Sequence, residues 1–312
     1  MEYEKLLATL FDQSIQSVTP VNKGFSSDEK FIVSLFDGEQ FFIKISGIEA
    51  FERKEKEFEC LHHLQRKGVK MAEPVALYML ESNRLCVQVF GFVDGQDGEL
   101  TLPYLTEKQQ YQTGVEAGEA LLKIHTLTLE KPEQTWEEYR YNKYEKYMAS
   151  IKEMDSIPVD LHEIDSFVQQ YKHLLKGRPL VFSHGDFHPS NLMISSKGLE
   201  AVIDFERYDW EDPYHEYYKM ALFSRNISIP FSVGQIHGYF NGEPPSVFWE
   251  YYALYAAMVF PADIYWSAQI TPDQVQLSSQ RLNQILEDHD YFHSHRPHWY
   301  RTYTRKVMDK HV

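Results

Sequence analysis

The stretch His184-Gly185-Asp186-Phe187-His188-Pro189-Ser190-Asn191, followed by Ile203-Asp204-Phe205-Glu206, decides how this chain is to be read. Between them lie Leu192-Met193-Ile194 and Ala201-Val202-Ile203, apolar runs of strand type, separated by Ser195-Ser196-Lys197-Gly198, which has the composition of a turn. A hairpin symmetric about Lys197 and Gly198 sets Asn191 opposite Asp204 at its open end. Asp186 then lies just outside, on a turn shaped by Gly185 and Pro189. Oxygen ligands converging in this way suit Mg2+, which takes one or two carboxylates together with substrate phosphates. A further carboxylate beside them can accept a hydroxyl proton while the metal neutralises phosphate charge. The bland alternative is an ordinary hairpin with polar residues at its open end, and the length of the run with its spaced aspartate argues against it.

Working outward, residues 1–93 read mostly as strands. Segments 31–36 and 40–45 flank Asp37-Gly38-Glu39, and segments 75–80 and 84–90 flank Glu81-Ser82-Asn83, both hairpin signals. A helix over 51–67, ended by Gly68, lies between the pairs. From 94 to 312 helical patterns dominate, at 107–125, 134–152, 161–175 and beyond Asp212. The expectation is an α+β chain of two lobes. An antiparallel-sheet lobe with one helix (1–93) precedes a larger, mainly helical lobe (94–312) that carries the catalytic hairpin.

In Phe41-Phe42-Ile43-Lys44-Ile45, alternation puts Phe42 and Lys44 on one face and the other three on the opposite one. A lysine in so apolar a strand either snorkels to solvent at a sheet edge or has a buried partner. On the 51–67 helix, Glu57 shares an inward stripe with Leu61 and Leu64, whereas Glu59 shares a face with His62, His63 and Arg66. An inward glutamate needs a cation, so a Lys44–Glu57 ion pair resolves both oddities, with Glu55 as the fallback. Upstream, Val21-Asn22-Lys23-Gly24-Phe25-Ser26-Ser27-Asp28 is either a plain hairpin loop or a set of N–H groups and hydroxyls for phosphate.

H-G-D-x-x-x-x-N followed by I-D-F resembles the catalytic segment of the aminoglycoside phosphotransferase and choline kinase family, which shares the protein-kinase fold. The resemblance spans nearly the whole chain, in order. It implies Asp186 as catalytic base, His184 as the residue orienting its loop, and Asn191 and Asp204 as Mg2+ ligands. It implies Lys44 on the α- and β-phosphates of ATP with Glu57 as its partner. Gly24, Phe25, Ser26 and Ser27 would form the phosphate loop, and the stretch from Gln88 to Phe92, with Val89 and Phe90 at its middle, the hinge beside the adenine. Glu206 stands where protein kinases carry the Gly of D-F-G, so switching of that kind is not expected. Asp212-Pro213-Tyr214-His215-Glu216 resembles the family's D-P-x-x-D, with a structural Glu at the end.

The 312 residues, 43% apolar and 25% charged, are long enough and apolar enough for two lobes with a sizeable core. A net charge of −15 argues against nucleic acid. Cys60 and Cys86 make no disulfide framework, no apolar run has membrane-spanning length, and the first residues lack a signal-peptide pattern, so a cytoplasmic protein is expected. Glu206, Asp209, Glu211, Asp212 and Glu216 follow the metal-type aspartate, offset by Arg207 and Lys219. Asp212 is placed to cap the helix begun by Pro213. The remaining acids would wall a cleft for a cationic acceptor, such as an amino sugar or amino alcohol. A nucleotide-binding regulatory protein on the same fold is the rival reading. His293, His295 and His298 tempt a zinc reading, but a partly solvated terminal segment fits them better. Most of the 21 Tyr and 20 Phe are expected in the core.

Overall fold

The structure, a computed structural model, describes residues 2–22, 27–128, 133–154 and 159–308. Gly24, Phe25 and Ser26 of the expected phosphate loop lie outside the described residues, and Ser27 is exposed at their edge.

A short helix α1 (Glu2–Leu7) precedes strands β1 (Ile15–Pro20), β2 (Glu29–Leu35) and β3 (Gln40–Gly47). Helix α2 (Phe51–Arg66) then leads to β4 (Pro74–Leu80) and β5 (Leu85–Gly91). The strands form one five-stranded antiparallel sheet of order β1-β2-β3-β5-β4. Alternation splits its residues between two faces. Phe31, Val33, Ile43, Ile45, Val87 and Val89 pack with Leu7 of α1 into a small core of their own. The other face carries Lys44, opposite Lys30 on β2 and Gln88 on β5, and is covered by α2, whose Phe58 meets Phe90 at 5.2 Å between ring centroids. Helix α1 was not foreseen: its apolar side is one turn long and leaves no periodic signal.

The chain then passes through β6 (Gln96–Asp97) and α3 (Gly98–Thr101) into the helical lobe. Its elements are α4 (Glu107–His125), α5 (Trp136–Lys152), α6 (His162–Tyr171), β7 (Val181–Ser183), β8 (Leu192–Ser195), β9 (Gly198–Val202), β10 (Asp209–Glu211), α7 (Arg225–Ile227), α8 (Ile229–Phe240), α9 (Phe248–Met258), α10 (Phe260–Ile270), α11 (Val275–Asp288) and α12 (His298–Met308). Helix α4 begins on a capping box between Thr106 and Gln109. The chain after Asp212 is less regular than expected, with a 3-10 turn at His215–Tyr217 and a π turn at Met220–Ser224 before α7.

The catalytic hairpin forms in a different register from the symmetric one. Leu192 pairs with Val202 and Met193 with Ala201, then the ladder slips so that Ile194 pairs with Leu199 and Ser195 with Gly198. Gly198, at φ 120°, already belongs to the strand, so the turn closes over Ser196 and Lys197, and Glu200 is the extra bulged residue. Asn191 therefore accepts from the N–H of Ile203 at 3.0 Å, and Asp204 lies one residue beyond, in a left-handed conformation at φ 64°. The linker from α2 to β4 runs beside this hairpin: the N–H of Val202 donates to the carbonyl of Lys70 at 2.9 Å. The sheet lobe is thereby moored to the catalytic hairpin.

Helices α4 and α8 cross at backbone contact. A Cβ on Gly114 would stand 2.1 Å from the carbonyl oxygen of Phe231, and one on Gly118 2.1 Å from that of Gln235. Reciprocally, Gly234 and Gly238 would meet the carbonyls of Tyr111 and Val115 at 2.1 and 2.0 Å. Exposed-helix propensity favours alanine over glycine by about 1 kcal/mol. Gly114→Ala and Gly238→Ala should nevertheless destabilise the protein by about 1–3 kcal/mol through overpacking. A urea midpoint that stays or rises would show that the two helices are not in backbone contact.

Candidate active site

Strand β7 delivers His184, fully buried with its ring against Phe187 and Phe205. Its Nδ1 accepts the N–H of Asp186 at 3.2 Å, so Nε2 carries the proton donated to the carbonyl of Ile203 at 2.9 Å. Burial lowers its pKa and the ring stays neutral despite Glu216 nearby. Gly185 follows at φ 78°, where a Cβ would strike the carbonyl oxygen of Arg207 at 2.0 Å. Only glycine lets the loop close on the turn Phe205–Arg207. From below, the Glu216 carboxylate accepts the N–H groups of Gly185 and Phe187, each at 3.2 Å. Asn191 donates Nδ2–H to the carbonyl of Asp186 at 2.8 Å, which leaves its Oδ1 as a ligand oxygen.

The Asp186 carboxylate so presented meets Lys219 Nζ at 2.5 Å and His188 Nε2 at 3.5 Å, both on Oδ1, with Arg207 Nε 4.0 Å from Oδ2. Burial pushes its pKa up, but the His188 hydrogen bond and the Lys219 charge outweigh this and hold it well below the usual carboxylate range. It is a carboxylate at any working pH.

Across the cleft, Lys44 does not pair with Glu57. Its Nζ lies 2.5 Å from Asp204 Oδ1. Gln88, opposite Lys44 in the β3–β5 register, comes between them: its amide donates to Glu57 at 3.3 Å and accepts from Lys54 at 2.8 Å. Lys54 is also paired with Asp28 at 2.7 Å. Burial raises the pKa of Glu57, and the charges of Lys44 and Lys54 oppose it, so the inward stripe is as read while its partner is an amide. Burial lowers the pKa of Lys44, yet the charge and hydrogen bond of Asp204 prevail and raise it. Burial raises and Lys44 lowers that of Asp204, with the fall prevailing. Lys30 lies directly opposite Lys44, and burial together with the Lys44 charge lowers its pKa. Like charges facing each other on a sheet are destabilising, and the charges of Asp204, Glu206 and Asp28 oppose the repulsion at Lys30.

Val89 and Phe90 are misplaced as the hinge. Both lie inside β5, paired on either side with β3 and β4, and both side chains are buried. The Phe92 N–H still donates to the Gln40 carbonyl at 3.1 Å, and the chain leaves the sheet through residues 93–95. The acidic wall also fails, because buried carboxylates need partners of their own. Asp209 accepts from the Tyr139 hydroxyl at 3.0 Å and Glu211 lies 2.8 Å from His215. Asp212 caps its turn through the N–H of Tyr214 and is fully buried beneath Arg178 and the Tyr255 hydroxyl. Glu216 holds the loop, and the Glu206 charge acts on Lys44 and Lys30. His293 and His298 are exposed, and His295 packs on Phe167 and Tyr171. A cavity of about 750 Å³ opens elsewhere, among Gln110, Arg225, Asp288 and Trp299, and none of the catalytic-segment residues lines it.

Lys30 and Lys219 were missed in the sequence. Counting back across the Asp37-Gly38 turn pairs Lys30 with Lys44, and Lys219 follows Glu216 by one helical turn, so both signals were present.

The sequence profile of the phosphotransferase enzyme family matches residues 17–249. The chain belongs to this family. As a member it is a kinase acting on hydroxyl groups. An aminoglycoside 3'-phosphotransferase of Niallia circulans is 26% identical over 250 residues, which cover 77% of this chain and 87% of the relative. The GDP complex of aminoglycoside 2'-phosphotransferase-IIIa matches with a TM-score of 0.68 at 16% identity, over 91% of this chain and 97% of that one. Spectinomycin phosphotransferase with ADP and spectinomycin gives 0.66 at 14% identity, over 90% and 93%. At such identities the likeness establishes the fold, and the expected bilobal, kinase-like α+β architecture is the one observed.

Glu216→Ala should strand two loop N–H groups, at a cost of about 1–3 kcal/mol for each donor left without a partner. Urea unfolding should show the loss, and amide exchange at Gly185 and Phe187 should accelerate. Unchanged exchange at both positions would contradict Glu216 as the support of the catalytic loop.

Proposed function

We propose that this protein transfers the γ-phosphoryl group of ATP to a hydroxyl of a small, amine-bearing molecule. The observation that carries the proposal is the convergence on one cleft of the Asp186 carboxylate, the Asn191 and Asp204 oxygens, and the opposed ammonium groups of Lys44 and Lys30. Asn191 and Asp204 are an all-oxygen donor pair, and Asp204 already accepts a cation in the form of the Lys44 ammonium, so the residues fit Mg2+. When bound there, the metal supplies charge neutralisation on the phosphates.

In this reading Lys44 and Lys30 hold phosphate oxygens, and the backbone of residues 93–95 receives the adenine. Asp186 accepts a hydrogen bond from the acceptor hydroxyl and sets its lone pair on the phosphorus. Against its burial, His188 and Lys219 hold the Asp186 carboxyl below the usual range, ionised and fixed in place. That suits phosphoryl transfer, whose loose transition state asks for positioning more than for a strong base. Neutral His184 keeps the loop in register by its two hydrogen bonds.

Support for an amine-bearing acceptor, an amino sugar, aminoglycoside or amino alcohol, comes from relatives solved with kanamycin and with spectinomycin. A net charge of −15 also favours cations at long range. Asp209, Glu211, Asp212 and Glu216 add nothing to it, since they are engaged within the fold. Two free, buried cysteines, and no described helix long and apolar enough to cross a membrane, support a cytoplasmic setting.

ADP release with Mg·ATP, run across amino sugars, amino alcohols, neutral sugars and amino acids, tests the proposal. Asp186→Asn should keep the fold and ATP binding and cut turnover by roughly 10²–10⁴. Loss of ATP binding with turnover per bound ATP unchanged would overturn the role of Asp186. Asp204→Ala should weaken the Mg2+ dependence of nucleotide binding, and Lys44→Ala should weaken ATP binding with metal present. If calorimetry shows neither effect, the nucleotide site lies elsewhere.

A further inference from the structure

We propose that Lys219 is a positioning residue for the transfer, its ammonium pinning one oxygen of Asp186 so that the other faces the acceptor hydroxyl. The inference rests on the phosphotransferase reading of the cleft and adds to it a residue outside the catalytic run.

A carboxylate on a short side chain turns easily about its last torsion, which is broad and roughly two-fold. Here Oδ1 receives both Lys219 at 2.5 Å and His188 at 3.5 Å, while Oδ2 has only Arg207 at 4.0 Å. The two oxygens are thus unequal, and Oδ2 is the one available to a substrate hydroxyl. Lys219 is buried, 7% exposed, with Nζ at 5.1 Å from the Tyr218 ring centroid and 5.6 Å from that of Phe223. Among the described residues Asp186 is the one carboxylate in ion-pair contact with it. A buried ammonium without an anion is strongly disfavoured, so this lysine is held in place by the catalytic carboxylate and holds it in return.

The delivery is coordinated with the rest of the loop. Glu216 and Lys219 are one helical turn apart and share a face. Glu216 takes the N–H groups on either side of Asp186, and Lys219 takes its side chain. The π turn Met220–Ser224 begins at the next residue and brings Phe223 against both Lys219 and His188. One short irregular segment therefore sets both backbone and carboxylate of the residue that orients the acceptor.

The experiment is a double-mutant cycle on kcat, with the best acceptor of the panel, or with water if none is turned over. Lys219→Met should lower kcat roughly 10²-fold, the scale for a misplaced reacting group, with KM for ATP little changed. Lys219→Arg should restore most of it. In the Asp186→Asn background Lys219→Met should cost nothing further, because its effect passes through Asp186. Should Lys219→Met fail to fold, Lys219→Gln, which keeps a donor and loses the charge, takes its place in the cycle. Three results overturn the inference while the phosphotransferase reading stands: kcat intact with only thermal stability lost, an equal loss in the Asp186→Asn background, or a loss carried by KM for ATP. A wild-type protein inert with every acceptor and with water would remove both.

Discussion

The ammonium of Lys44 on the carboxylate of Asp204 is the constraint on which the cleft depends. One partner belongs to the central β3 of the sheet lobe and the other follows the catalytic hairpin, so this contact fixes the distance between the lobes where a nucleotide would enter. A buried lysine needs an anion, and Asp204 reaches it only because the backbone turns left-handed at that residue. Such a conformation is unfavourable for a residue with a side chain and persists where its surroundings hold it. Here they are the close approach of Gly185 to the Arg207 carbonyl and the hydrogen bond from Arg53 to the Glu206 carbonyl at 2.8 Å.

Around that contact the charges sort themselves by burial. Each acid following Asp204 that enters the interior has found a donor, Asp212 most completely, and each therefore serves the fold. The cations gather on the two cleft carboxylates, Lys44 on Asp204 and Lys219 on Asp186. Lys30 and Lys44 face one another, and Lys219 and Arg207 flank Asp186. The resulting cleft is richer in positive charge than the whole-chain balance of −15 suggests. That suits a site which must hold a phosphate chain and a transferring phosphoryl group.

Much of this was legible in the sequence because the signals are local. The run from His184 to Asn191, the spaced Asp204, the odd Lys44 and the inward Glu57 are short patterns whose residue types are chemically unusual for their surroundings. What escaped depends on tertiary pairing. Gln88 separates Lys44 from Glu57 only because β5 lies beside β3. Val89 and Phe90 fall within that same strand, so the hinge had to shift towards the chain's exit from the sheet. The glycines of α4 and α8 mean nothing until the two helices are known to cross. Lys219 finds its carboxylate in another element, and one bulged residue, Glu200, moved the hairpin out of simple symmetry.

The central claim is that Asn191 and Asp204 hold a metal–nucleotide complex facing Asp186. Diffraction at the manganese edge, from crystals grown with Mn2+ and AMP-PNP, tests it most directly. The account predicts an anomalous peak at roughly 2.0–2.2 Å from Asn191 Oδ1 and an Asp204 carboxylate oxygen, on the scale of hard-cation to oxygen contacts. It also predicts Lys44 on phosphate oxygens and the γ-phosphate turned towards Asp186. A metal peak away from both residues, or a nucleotide whose γ-phosphate faces away from Asp186, would contradict it.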